Sequence, residues 1–113
     1  MRGGQHLYVM QMGRTGAIKV GRSSAPERRQ KEIQTGCPYE VRLILVAKDQ
    51  GYRESRLHQQ MRRFRLRNQK GEWFSEGAIG YLPDDLYELM DEATVEMVNS
   101  DWWRKTRDPG PFG

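Results

Sequence analysis

The chain of 113 residues carries 19 Lys/Arg against 15 Asp/Glu, for a formal net charge of +4, and a single cysteine. That length suits one domain with a modest core and leaves no room in it for a second catalytic domain; Cys37 has no disulfide partner, and with only His6 and His58 beside it no structural zinc spacing exists. No run approaches the roughly 18 apolar residues of a membrane span, so a cytoplasmic protein in a reducing compartment, with no membrane partner, is expected.

From His6 to Met12 the residues alternate, with Leu7 and Val9 on one side and Tyr8, Met10 and Met12 on the other, which predicts a strand. Gly13 to Gly16 supply a turn, and Ala17 to Gly21 return as the second strand of a hairpin. A four-residue loop sets Met12 opposite Ala17, Met10 opposite Lys19 and Tyr8 opposite Gly21. Tyr8 and Lys19 then share one face, beside a glycine whose missing side chain leaves room for a ligand. Leu7, Val9, Ile18 and Val20 take the core side. Taken singly, Tyr8 reads better as a core aromatic and Lys19 as an exposed strand lysine than as site residues.

Ser23 or Ser24 is the expected cap of a helix that opens at Pro26, runs to about Gln34 and closes at Gly36. Arg29 and Ile33 lie four apart on it, so the arginine is expected against the body of the protein, where it wants a carboxylate or a phosphate. Val41 to Val46 form the most apolar run and read as a strand in the middle of the sheet. Glu54 to Phe74, ESRLHQQMRRFRLRNQKGEWF, reads as one basic helix followed by a short aromatic return. Leu57, Met61 and Phe64 make its apolar stripe, Arg62, Arg63, Arg65 and Arg67 the rest of its circumference, and Glu54 and His58 share one line at the stripe's edge. A carboxylate and an imidazole placed there suit metal ligation or the orientation of a water beside phosphate; a surface ion pair and a hydrogen-bonded histidine are the plainer alternative.

After a connection from Ser75 to Leu82, Pro83-Asp84-Asp85 opens a last helix. Its apolar positions Leu86, Leu89, Met90, Ala93 and Met97 lead to Trp102 and Trp103, ahead of a tail with no need to order. Charge is segregated along the chain. Residues 1–75 hold 16 Lys/Arg against 6 Asp/Glu, whereas residues 76–103 hold 8 Asp/Glu and no Lys or Arg. A basic body of this kind suggests nucleic acid as its partner, with a solvated charged face as the alternative.

With these pieces in order, residues 6 to 75 resemble the GIY-YIG nuclease superfamily, in particular its phage and meiotically up-regulated branch. His6-Leu7-Tyr8 stands at the first motif and Lys19-Val20-Gly21 at the second, where Lys19 departs from the founding tyrosine but looks like the branch's Lys-Ile-Gly. Arg29, Glu54, His58 and the Gly71-Glu72-Trp73-Phe74 ending follow in the family's order. The resemblance implies an α/β (α+β) fold with a small three-stranded antiparallel sheet flanked by helices. It also implies hydrolysis of DNA phosphodiester bonds with Mg²⁺ (or Mn²⁺). The catalytic set it implies is Tyr8, Lys19, Arg29, Glu54 and His58. Glu54 would be the metal ligand, Tyr8 would activate or orient the attacking water with Lys19 stabilising its phenolate, and Arg29 would neutralise phosphoryl charge. Glu72 is expected to orient Arg29 or His58.

Arg22, Arg28, Arg62, Arg63 and Arg65 are the expected contacts to double-stranded DNA. Residues 1–82 are expected to form the nuclease domain and 83–113 a C-terminal helix and tail extending it, outside the resemblance, with self-association through that helix a further expectation. The location implied is the host cytoplasm for a phage-encoded chain. Two other readings stay open: a non-catalytic nucleic-acid-binding module of the same fold, and a phage protein-interaction factor working through the acidic helix and its tryptophans.

Overall fold

The computed structural model describes residues 4–66 and 72–90. The expected hairpin is present. Strand β1 (His6–Met12) pairs antiparallel with β2 (Ile18–Ser23), with Tyr8 opposite Gly21 and Met10 opposite Lys19. The turn between them is closed by Met12 N–H donating to the Ala17 carbonyl at 2.8 Å. Its tightness requires positive φ at Arg14 and at Gly16, where glycine adopts the left-handed conformation without strain.

Helix α1 (Pro26–Thr35) starts and ends where its residues predict, with proline in the first turn and Gly36 at the close. Its cap differs from expectation: Ala25 occupies the position, and the Ser23 hydroxyl instead accepts from Ala25 N–H at 2.9 Å, turning the chain just ahead of the helix. Strand β3 (Val41–Ala47) is not central. The sheet has four antiparallel strands in the order β3-β1-β2-β4, with β4 (Trp73–Phe74) on the far edge, so the three-stranded expectation gains a strand and β3 becomes an edge. The apolar run misleads because the register against β1 shifts, Val9 facing Leu45 and Met10 facing Leu43. This bulge at Ile44 lets Ile44 and Leu45 both join one core cluster. The edge is covered by side chains: Gln34 Oε1 accepts from Val41 N–H at 2.7 Å, Gln30 Nε2 donates to the Val41 carbonyl at 2.8 Å, and Leu45 forms an antiparallel bridge with Met90.

The long basic helix is also corrected. Helix α2 spans only Glu54–Gln60, preceded by a 3-10 turn at Gly51–Arg53 and followed by another at Arg62–Phe64. The stripe residues Leu57 and Met61 are buried as expected, but beyond Phe64 the backbone extends. There Leu66 N–H donates to the Trp73 carbonyl and Ser75 N–H to the Phe64 carbonyl, and Arg65 bridges Phe74. Strand pairing and burial of Phe74 outweigh the local helical preference of the arginines. Arg67 lies outside the described residues.

Two cores result. One face of the sheet packs Leu7, Val9, Ile18, Val20 and Phe74 against α2 and against Leu82, Leu86 and Met90. The other packs Tyr8, Met10, Met12, Val41 and Trp73 against Ile33 and Cys37 at the end of α1. Helix α3 (Asp84–Tyr87) opens after Pro83 as its sequence predicts, but it spans four residues and Leu89 is exposed. Ala93, Met97, Trp102 and Trp103 lie outside the described residues. Arg53 clamps Asp85 through two hydrogen bonds of 2.6 and 3.2 Å, fastening the start of α3 beside α2. Among the described residues no helix is long and apolar enough to cross a membrane.

Candidate functional site

Strand alternation places Tyr8 and Lys19 on the α1 face of the sheet, and their environments push their acidities in opposite directions. Burial raises the Tyr8 pKa above its ordinary value, opposed by a hydrogen bond and charge from Arg29 and assisted by Glu54. Burial and the Arg29 charge lower the Lys19 pKa, opposed by Glu72 and Glu54. Tyr8, Lys19, Arg29, Glu54 and Glu72 therefore lie within electrostatic reach of one another, at the end of the hairpin marked by Gly21. That is four of the five expected catalytic side chains.

His58, the fifth, is held on both sides. Its Nε2 lies 2.6 Å from the Val20 carbonyl and its Nδ1 lies 2.9 Å from Glu72 Oε1, while its ring tilts against Phe74 with centroids 5.4 Å apart. Both nitrogens face protein oxygens, which fixes the plane of the ring. Of the two partners expected for Glu72, His58 is the one it bonds.

Three expectations change. Gly21 does not clear space for a ligand: a Cβ there would run into the Tyr8 phenol, so the space belongs to Tyr8 itself. The cation whose charge lowers the phenol pKa is Arg29, while the Lys19 ammonium sits 5.9 Å from the centre of the Trp73 ring. Arg29 is not tucked against the body. Its side chain is about half exposed and reaches Glu32 at 3.1 Å as well as Tyr8, a consequence of α1 offering only Ile33 to the core.

Glu54 is half-buried at the start of α2 and forms an ion pair with Arg22 Nε at 3.5 Å. No cluster of three or more His, Cys, Asp or Glu is present among the described residues. The chemistry of a lone carboxylate beside open solvent still fits Mg²⁺, which takes one or two carboxylates and fills its other positions with waters and phosphate oxygens. Of the expected DNA contacts, Arg22, Arg28, Arg62, Arg63 and Arg65 are all exposed. Arg62 and Arg65 line a cleft of about 670 Å³ whose walls also include Tyr52, Arg56, His58, Glu72 and Phe74. Tyr52 and Arg56 were not legible as site residues, because an exposed tyrosine and arginine at a helix start carry no spacing signal.

A family model described as the T5orf172 domain matches residues 5–99. That domain is found in phage and nuclease-like proteins, and the match runs past Leu82 into the acidic segment. No curated protein and no solved structure matches the chain. With the match covering most of its length, the chain belongs to the T5orf172 domain family.

Proposed function

We propose that this chain is a GIY-YIG-type endonuclease that hydrolyses DNA phosphodiester bonds with a divalent metal, Mg²⁺ or Mn²⁺. The observation that carries the reading is the convergence of Tyr8, Lys19, Arg29 and Glu54 on one corner of the sheet, with the His58–Glu72 pair beside it. Glu54 would hold the metal, displacing the Arg22 contact, and the ion would supply Lewis-acid neutralisation of phosphate charge.

The chain's own residues divide the remaining work. Burial keeps Tyr8 as a phenol near neutrality, so it orients the attacking water through a hydrogen bond, with the Arg29 charge beside it, and the proton the water gives up passes to solvent. The exposed side of Arg29 meets charge developing on the phosphoryl oxygens. His58, fixed by the Val20 carbonyl and Glu72, acts as a positioning residue that holds the Glu72 carboxylate at the edge of the corner. Residues 83–90 extend the same domain, since Leu86 and Met90 share its core.

One observation favours a second reading, a non-catalytic nucleic-acid-binding module: Glu54 already has an arginine partner. Cleavage of supercoiled plasmid with Mg²⁺ or Mn²⁺ separates the two. Glu54→Gln should lower cleavage on the order of 10²-fold or more while DNA binding in chelator holds or tightens. A variant that cuts at the wild-type rate removes Glu54 from the site. A folded wild-type chain that cuts neither DNA nor RNA leaves the binding module as the function.

A further inference from the structure

The cleft beside the catalytic corner has its own chemistry. Tyr52, in the 3-10 turn before α2, is 76% exposed and stands on its rim. Arg56 projects from α2, and Arg62 and Arg65 project from the turn and extended segment after it. None of these three arginines has a carboxylate partner among the described residues. Phe74 closes the floor, and the Glu72 carboxylate is turned onto His58 at 2.9 Å, so the negative group on the wall is already engaged.

An exposed aromatic at a concave site, beside three guanidinium groups with no carboxylate partner among the described residues, does not match a duplex surface. Duplex phosphates track a convex cylinder and ask for dispersed cations, whereas a splayed base asks for a ring to stack on and a pocket of nucleotide size. A volume of about 670 Å³ lies within the range of small-molecule sites and holds a nucleotide. We infer that this cleft binds one unpaired nucleotide of a nucleic-acid strand, its base stacked on Tyr52 and its phosphates held by Arg56, Arg62 and Arg65. This inference rests on the catalytic corner facing nucleic acid, though not on its cutting. The substrate class it defines is DNA with unpaired nucleotides adjoining the site of attack.

Fluorescence anisotropy in chelator tests the cleft apart from cleavage. The full chain is titrated with a labelled oligothymidylate of 12 residues, the same length carrying abasic sites, and a blunt duplex. Tyr52→Ala should weaken oligothymidylate binding about tenfold and duplex binding less than about twofold, and Tyr52→Phe, which keeps the ring, should restore it. The wild-type chain should bind the abasic strand about tenfold more weakly than oligothymidylate, a comparison that needs no variant to fold. Equal losses on strand and duplex, or abasic and thymidine strands bound alike, overturn the inference. Because no metal is present, a chain that binds as expected but cuts nothing would leave this cleft standing and remove only the nuclease reading.

Discussion

The two faces of the sheet are built from the same strands and serve opposite ends. On the α2 face fifteen buried side chains of the described residues form one cluster, with Phe74 its one aromatic, drawn from all four strands, α2 and the segment through α3. On the α1 face six do, and they include Tyr8 and Trp73. The difference begins in α1. Its sequence PERRQKEIQT holds one large aliphatic residue, Ile33, so the helix adds little apolar surface to the face where Tyr8 and Lys19 lie, and brings Arg29 to it. The larger core holds most of the buried apolar side chains, and α2, packed on it, carries Glu54 and His58.

Substitutions on each face test that division. Phe74→Ala, which empties a site 1% exposed in the larger core, should cost about 3–5 kcal/mol of unfolding free energy in a denaturant titration. Ile33→Ala, half-buried on the thinner face, should cost distinctly less, and equal costs would mean that the two cores carry equal weight. Gly21→Ala comes next in size. A methyl group there forces the Tyr8 ring aside, so the expected cost is about 1–3 kcal/mol, with a loss of cleavage at temperatures where the variant is still folded. Retained cleavage would show that the position of the phenol is not critical.

The smallest effect concerns Glu76, whose carboxyl packs by Gly16 and whose pKa is raised by burial. A raised folded pKa means the folded state holds the proton more tightly, so this group favours folding in acid and opposes it once pH rises through its pKa range. Glu76→Gln should therefore raise the melting temperature slightly at pH 7 and leave it unchanged at pH 4. A stabilisation of equal size at both values would locate its cause elsewhere than in the charge.

The parts of this design legible in the sequence were those fixed by short-range rules. A tight glycine turn and alternating residues dictated the hairpin register, and helical spacing put Glu54 and His58 at the edge of a stripe whose Leu57 and Met61 are indeed buried. What could not be read depended on distant partners. Two residues, Trp73 and Phe74, are too few to show a strand period, and their pairing with Ile18 and Lys19 is also what ends the arginine-rich helix early. The apolar run Val41–Ala47 signalled burial correctly, but whether a buried strand is central or lateral depends on what covers it, and here a bulge and side chains from α1 do so. The influence of the Arg29 charge on Tyr8 links a helix to a strand across 21 positions of sequence, beyond any local pattern.

The covering of β3 has a consequence for how the molecule behaves in a crowd. A lateral strand rich in valine, isoleucine and leucine is the usual nucleus for chain-to-chain sheet growth. Gln30 and Gln34 occupy its first hydrogen-bonding positions as a neighbouring strand would, and the Met90 backbone takes a place opposite Leu45. Two amides on a helix and a single bridging residue thus let the chain keep a strongly apolar strand without offering its ends as a template for aggregation.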